Sequence, residues 1–187
     1  MNIRLVILGA ALLSVVACSN NTQKKAAGAK PVGDYFSIDG FIQGQVKQIQ
    51  SEPYFIYKKM GESLADSAAS SVRELRLYSD SFRFPELQSQ QKYWYVEQNF
   101  GDKANEEYTL NYTAQNDSAV IKYADVVFDD ETNAVKRIFL QKMWQQADTS
   151  YEQKLYWKTN RYLLVVTISR VPHQEAKAHQ VKIVWNE

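Results

Sequence analysis

The strongest constraint on the fold is a series of short alternating segments that fills the second half of the chain. In the clearest of them, Tyr108, Leu110 and Tyr112 alternate with the polar residues Thr109 and Asn111. A period of two is typical of a strand with one buried face. Comparable segments lie at residues 92–98, 120–128, 135–144, 151–158, 162–171 and 179–185.

The connections between these segments are short and polar, as at Asp129–Asn133 and at Thr159–Asn160. Parallel strands need a crossover of about a dozen residues or more, so strands joined this closely must pair antiparallel. The pattern therefore predicts an antiparallel meander sheet of about seven strands.

The residues that precede this series have a helical period instead. Apolar residues recur every three or four positions over residues 36–50, which predicts an amphipathic helix with Asp34 or Ser37 as its cap. Ser71 opens a capping-box pattern that predicts a second helix as far as about Arg83. We expect an α+β fold, with two N-terminal helices packed on one face of a curved antiparallel meander sheet of about seven strands.

The N-terminus carries an export pattern. Arg4 precedes an apolar run, Leu5–Val16, which is shorter than the roughly 20 residues needed to span a bilayer. The run ends in Val15-Val16-Ala17-Cys18, a lipobox in which a small residue precedes the one cysteine of the chain. We expect cleavage before Cys18 and attachment of diacylglycerol to its thiol, which would hold the protein on a membrane through two or more acyl chains.

These features divide the chain into three parts. Residues 1–17 are expected to be a lipoprotein signal peptide. Residues 18–33 are polar and lack aromatic side chains, so we expect a flexible tether there. Residues 34–187 are expected to form a single α+β domain, because their number suits one well-buried core.

The charge of the chain is balanced, with 22 basic and 21 acidic side chains. A nucleic-acid partner is not expected, because proteins that bind nucleic acids need a basic surface. No cysteine follows Cys18, so disulfides cannot stabilise the domain. The 12 Tyr, 8 Phe and 4 Trp side chains offer the apolar area for a core instead.

Four short patterns suggest chemistry, and each lacks part of what that chemistry needs. His173 and His179, on the last predicted hairpin, could bind zinc or act as a pH switch, but a third strong ligand on a rigid element is missing. The acidic Asp129–Glu131 lacks the spaced ligands of a calcium loop. Gly61–Ala65 and Ser89–Lys92 match fragments of hydrolase and penicillin-recognising motifs without the residues that accompany them. We expect no catalytic residue, metal or cofactor.

Aromatic residues concentrate on the predicted strands, as in Tyr93-Trp94-Tyr95 and Tyr156-Trp157, and also at Trp144 and Trp185. Neighbours on a strand point to opposite faces, so each run must turn at least one ring away from the other. These rings either pack across strands in the core or line a ligand surface. Such a surface would be a platform for stacking sugars or an apolar cavity between helix and sheet.

The lipobox at Cys18, the strand Tyr54–Lys59 and the helix Val72–Asp80 together resemble a group of small uncharacterised lipoproteins from the Bacteroidota. The likeness is one of layout, and Val72 stands where that group would have a tryptophan. The resemblance implies a lipid-anchored envelope protein. In that group, surface display usually needs acidic residues after the lipidated cysteine, and residues 19–24 contain none. This implies an outer-membrane protein that faces the periplasm.

Two functions remain open at this point. The first is a non-enzymatic envelope module that binds a protein or a glycan. The second is a carrier or sensor of an apolar ligand held in a half-barrel cavity, which the aromatic-rich sheet would line. A helix on a curved sheet is also broadly similar to the lipoprotein-carrier fold, a likeness that carries no site. An enzyme would require His173 and His179 to converge with a carboxylate in one pocket.

The lipid anchor gives the first testable prediction. We expect Cys18→Ala to abolish incorporation of labelled palmitate and to leave an unprocessed or mis-cleaved chain, because only the thiol accepts the diacylglycerol. Labelling in cells, followed by detergent partitioning, measures both effects, with Ser19→Ala as the matched control. Acyl label retained by Cys18→Ala would contradict the assignment.

Overall fold

The computed structural model describes residues 34–61 and 63–186. Cys18, the predicted signal peptide and the predicted tether lie outside the described residues. Helices α1 and α2 span Ile38–Ser51 and Val72–Ser79, and three short 3-10 helices span Asp80–Phe82, Pro85–Gln88 and Gln90–Trp94. The strands are β1 (Tyr57–Met60), β2 (Asp66–Ala69), β3 (Tyr95–Asp102), β4 (Glu107–Ala114), β5 (Ile121–Asp129), β6 (Val135–Gln146), β7 (Thr149–Lys158), β8 (Tyr162–Arg170) and β9 (Lys177–Val184).

The strands form one open antiparallel sheet in the order β2-β1-β9-β8-β7-β6-β5-β4-β3. From β3 to β9 each strand pairs with the next one in the chain, as the short polar connections predict. Strand β1 then pairs with β9, and β2 folds back on β1. Within the described residues, β2 and β3 are the two edges of the sheet.

The α+β class and the antiparallel sheet are confirmed, but the predicted number of about seven strands is wrong, because the sheet has nine. Strand β2 shows why. All four of its residues, Asp66–Ala69, are exposed, so it has no buried face and no apolar alternation in sequence. It forms through backbone pairing with β1 across the turn at Gly61, where φ is +91°.

The helical prediction is also corrected. The described residues contain five helical segments where two were expected. The predicted second helix ends as an α-helix at Ser79 and tightens into a 3-10 turn at Asp80–Phe82. Tyr93 and Trp94, predicted to lie on a strand, belong to a 3-10 helix that Ser89 caps by accepting a hydrogen bond from the Gln91 N–H (3.1 Å).

Helix α1 places one apolar face against the sheet. Its cap is Ser37, one of the two residues predicted for that role, whose hydroxyl accepts from the Gly40 N–H at 3.1 Å. The helix buries a stripe at helical spacing and exposes its other side. The buried residues of this stripe are Ile38, Ile42, Val46 and Ile49.

The layer between the helices and the sheet is filled by side chains. Every second residue of the central strands points into it, and Leu155, Trp157 and Ile183 are completely buried. Phe82, from the 3-10 turn after α2, meets Trp157 edge to face with ring centroids 5.5 Å apart. This core covers one face of the sheet, and none of the described helices lies on the other face.

One lysine ties the helical layer to the sheet. Lys142 lies on the covered face of β6, and its ammonium donates to the backbone oxygens of Ser81 and Arg83, just after α2. Burial lowers the pKa of Lys142. The carbonyls at this end of the helical segment thus receive a charged donor.

The two faces of β7 give a matched stability test. Leu155 is fully buried on the covered face, so we expect Leu155→Ala to lower the free energy of unfolding by about 2–5 kcal/mol. Its neighbour Tyr156 points to the other face, and Tyr156→Ala should cost about 1 kcal/mol or less. Urea titrations of both variants measure the difference, and equal losses would show that the faces are assigned wrongly.

Candidate binding groove on the open face of the sheet

The face of the sheet opposite the helices carries a groove of about 430 Å³, called here the open-face groove. Its side chains come from β4 to the start of β8, at positions that alternate with the buried core residues. The pleat therefore assigns each residue to the core or to the groove. The groove-lining side chains are Thr109, Tyr123, Asp125, Val127, Arg137, Phe139, Tyr156, Lys158 and Tyr162.

Three aromatic rings cross the centre of this groove, and we call them the aromatic row. Phe139 and Tyr156 lie directly opposite each other on β6 and β7, with ring centroids 4.8 Å apart. Tyr123 on β5 extends the row, 5.9 Å from Phe139. Tyr156 is 41% exposed, so the row presents ring surface to solvent. Such rings can stack on a ligand without any rearrangement of the core.

A nearly buried carboxylate positions an arginine side chain at one end of the groove. Glu107 on β4 is 9% exposed and accepts two hydrogen bonds from the Arg137 guanidinium, at 2.8 and 2.6 Å. Lys136 approaches the same carboxylate at 3.0 Å. The bond to Arg137 is the main cause that lowers the pKa of Glu107 to about 2. This bidentate pair fixes the guanidinium at the groove wall, where half of the Arg137 side chain remains exposed.

A polar network on β4 and β5 lies next to this side of the groove and includes Asp125, one of its lining residues. The Asn111 amide donates to the Asp125 carboxylate at 2.9 Å, and the Thr113 hydroxyl donates to the Asn111 oxygen at 2.9 Å. Burial, followed by the hydrogen bond to Asp125, raises the pKa of Tyr123. The phenol therefore stays protonated and remains a hydrogen-bond donor at neutral pH.

The other side of the groove is basic and aromatic. Tyr162, at the start of β8, lies opposite Lys158 of β7. The Lys182 ammonium on β9 sits 4.0 Å from the centroid of the Tyr162 ring, within cation–π range. The groove thus combines ring faces with donors and acceptors of both charges, and none of its lining side chains in the described chain is a histidine, cysteine or serine.

The residues that the sequence suggested for chemistry are not gathered at this groove. His173 lies in the turn after β8 and His179 lies on β9 opposite Thr167, and both are exposed. Asp129 accepts from the backbone N–H and the hydroxyl of Thr132, at 2.9 and 2.8 Å, so its carboxylate shapes its own turn. In the part of the chain that the structure describes, no group of three His, Cys, Asp or Glu side chains could hold a metal ion.

The remaining suggested segments lie elsewhere. Ser63 is exposed in the turn between β1 and β2, and its neighbour Glu62 lies outside the described residues. Ser89 caps a 3-10 helix, four residues before the exposed Tyr93. Neither serine lies in the strand-turn-helix setting that a nucleophile motif needs.

The aromatic residues separate into core and groove. Trp157 and Trp185 are buried together, with ring centroids 5.2 Å apart, and Tyr95 is also buried. Trp144 stacks on Tyr151 at 5.2 Å, on the side of the pleat that carries Leu140 and Leu155. Of the aromatics singled out from sequence, Tyr156 turns its ring to the groove, and Trp157 lies along the groove with its ring buried in the core.

Sequence reasoning missed most of the groove. Tyr123, Phe139 and the pair Glu107–Arg137 were not singled out, although each lies on a predicted strand. The available signal was the alternation along the strands, because Tyr123, Arg137 and Phe139 each lie next to a buried residue and therefore point to the opposite face. Arg137 is 30 residues from Glu107, and the register that joins them runs through an irregularity between β5 and β6.

A second groove, of about 400 Å³, lies between α1 and the end of α2. Its floor includes Ile42 and Val46, and its rim carries Lys47, Arg76 and Arg83. The Arg83 guanidinium is already 3.9 Å from the Asp39 carboxylate. This groove is less suited to a specific ligand, because the charged side chains at its rim are exposed to water, where ion pairs contribute little.

Comparisons with protein-family models, with curated proteins and with solved structures return no match for this chain. Within residues 34–61 and 63–186, no helix is long and apolar enough to cross a membrane.

The Glu107–Arg137 pair predicts a specific pH dependence of stability. Lowering the pKa of Glu107 from 4.5 to about 2 corresponds to at most about 3 kcal/mol, which water around Arg137 reduces. We expect Glu107→Gln to lower the free energy of unfolding by about 1–3 kcal/mol at pH 7. Because the folded-state pKa is depressed, this contribution is present above about pH 4.5 and is lost as the pH falls toward 2.

Urea unfolding across this pH range measures the effect. The difference between the wild type and Glu107→Gln should shrink on acidification. Glu131→Gln, an exposed carboxylate in the β5–β6 turn, is the control and should change stability by less than about 0.5 kcal/mol at any pH. A difference for Glu107→Gln that stays constant with pH would contradict the ion-pair assignment.

Proposed function

We propose that this chain is a lipid-anchored module of the cell envelope that binds a glycan in its open-face groove without catalysing a reaction. The observation that carries the proposal is the aromatic row Tyr123–Phe139–Tyr156, which is partly exposed on the face that no described helix covers and is bordered by hydrogen-bonding side chains. A rigid sheet holds this row, so binding needs little ordering of the protein.

The chemistry of the groove suits a sugar. The C–H face of a pyranose ring packs on the electron-rich face of an aromatic ring, and the 41% exposed Tyr156 ring offers such a surface. The hydroxyls around a sugar need both donors and acceptors. Arg137 and Lys158 supply donors, and Asp125 supplies an acceptor, all in the same groove.

The location of the module is proposed from the sequence. The lipobox at Cys18 supports attachment to a membrane, and the polar residues 18–33 support a tether long enough to let the domain reach a partner. The absence of acidic residues at positions 19–24 supports an outer-membrane anchor that faces the periplasm. A periplasmic module of this kind would meet envelope polysaccharides directly.

The alternative of an apolar-ligand carrier has less support. A carrier needs a cavity between helices and sheet, and Trp157, Phe82 and Leu155 fill that layer. The space that does open to solvent lies on the opposite face and carries a charged wall at Arg137. A ligand with hydroxyls matches this wall better than an alkyl chain does, because an alkyl chain would leave the charges desolvated.

The groove gives a direct binding test. Wild-type protein should bind a subset of a glycan panel that includes purified envelope polysaccharide, measured by biolayer interferometry. Tyr156→Ala should weaken this binding by about ten-fold, since loss of one stacked ring costs roughly 0.5–1.5 kcal/mol beyond the loss of contact area. Tyr93→Ala removes an exposed tyrosine on a separate 3-10 helix and should bind like the wild type.

Two outcomes would reject the proposal. One is the absence of binding to any glycan of the panel by folded wild-type protein. The other is an equal loss for Tyr156→Ala and Tyr93→Ala, which would place binding outside the groove. Unfolding curves of both variants, compared with the wild type, separate a binding defect from a folding defect.

A further inference from the structure

Strand β3 is an edge of the sheet that lacks the usual protection against pairing. It runs for eight residues, Tyr95–Asp102, and every residue after Tyr95 is exposed. Natural edge strands are commonly shortened, bulged, or broken by lysine or proline. Residues 95–102 contain neither lysine nor proline, and they pair with β4 in unbroken register. The opposite edge, β2, is only four residues long.

The hydrogen-bond pattern shows which groups of β3 point outward. Opposed residues of an antiparallel pair alternate between hydrogen-bonded and non-bonded pairs. The Gln115 N–H donates to the Trp94 oxygen at 2.7 Å. Every second residue repeats this geometry, so the backbone groups of Val96, Gln98 and Phe100 point toward β4 and are hydrogen-bonded to it. The N–H and C=O groups of residues 97, 99 and 101 therefore point away from the sheet, where the described residues provide no strand.

The start of the strand is closed to pairing. The Tyr95 N–H donates to the Lys92 oxygen, and the Tyr95 oxygen accepts from the Tyr35 hydroxyl at 3.1 Å. A strand that adds to this edge must therefore pair with residues 96–102. This limits the possible registers to those centred near the middle of the segment.

The side chains of this segment are self-complementary about Gln98. In an antiparallel pair of two β3 strands centred there, Val96 faces Phe100 of the other copy, and Glu97 faces Asn99. No like charges meet, and two exposed apolar residues, Val96 at 39% and Phe100 at 54%, cover each other. The backbone groups of residues 97 and 99 also match, because both point outward, and Gly101 faces Tyr95 of the other copy and stays outside the pairing.

A register whose centre is moved by one residue, to Asn99, shifts the pairing by two residues and matches the side chains less well. Centred on Asn99, the pairing would still match the backbone groups, but Val96 would face Asp102 and Phe100 would face Gln98. The apolar pair would then be lost. The apolar match therefore favours the register centred on Gln98.

We propose that two copies of this protein pair through β3, antiparallel and about a two-fold axis at Gln98. The pairing joins both sheets into one. Val96 and Phe100 lie on the same face as Thr109 of the open-face groove, since Phe100 is opposite Thr109 in the register. Both grooves therefore face the same side, so a dimer presents two of them to one extended partner.

Cysteine cross-linking of the full chain tests the register. About Gln98, the two copies of residue 98 form a non-hydrogen-bonded pair with Cα atoms about 4.5 Å apart, within the range of a disulfide. The two copies of residue 99 are then diagonal and too far apart, at more than about 7 Å. We expect mild oxidation of Gln98→Cys to give a disulfide dimer, and Asn99→Cys to stay at the background set by Cys18 in the wild type.

A second variant measures the association itself. Phe100→Asp places a carboxylate against Val96 of the other copy, so the non-covalent dimer should be lost in sedimentation velocity while the far-ultraviolet circular dichroism stays that of the wild type. Equal cross-linking at residues 98 and 99, cross-linking of Gln98→Cys to a different protein, or a wild type that sediments as a monomer would each overturn self-pairing through β3.

Discussion

The structure depends on the pleat of four central strands, β5 to β8, packed against α1. Along β7, Leu155 and Trp157 enter the core while Tyr156, between them, faces the groove. A shift of one residue in register would exchange the two sets, burying Lys154 and Lys158 and exposing the core. The hydrophobic contact with α1 therefore positions the aromatic row as well as stabilising the domain.

Ion pairs position the charged side chains of the open face. Glu107 is nearly buried and would be costly without a partner, and Arg137 satisfies both of its oxygens. The same contact orients the guanidinium at the wall of the groove. A second charged cluster, in which Arg170 donates to Glu152 at 3.0 Å, holds β7 to β8 farther along the same face. The open face is thus a pre-organised polar surface around three rings.

The sequence was most informative where side chains alone determine the element. Alternation predicted the meander from β3 to β9, and the turns at Asn133 and Asn160 were predicted and adopt positive φ, which asparagine tolerates. The sequence was least informative where backbone pairing or residues distant in the chain determine the element. Strand β2 forms without a buried side chain, and Tyr93 and Trp94 look like strand residues but lie on a 3-10 helix.

The candidate site was predicted only in outline. The opposite orientation of Tyr156 and Trp157 followed from the pleat, but the sequence could not say which ring faces the core. Tyr123 lies on β5, whereas Arg137 and Phe139 lie on β6 and Tyr156 lies on β7, and only the register brings these strands together. The histidines were prominent because the chain has only two, yet rarity in sequence does not bring side chains together in space.

The most direct test of a binding role for the open face is hydroxyl-radical footprinting of the protein in intact envelopes and after purification. If the groove is occupied by an envelope component, Tyr156 and Phe139 should be oxidised more slowly in envelopes than in the purified protein. Tyr93, exposed outside the groove, should react at the same rate in both. Equal reactivity of Tyr156 and Phe139 in the two states, with Tyr93 unchanged, would show that the open face binds nothing in the envelope.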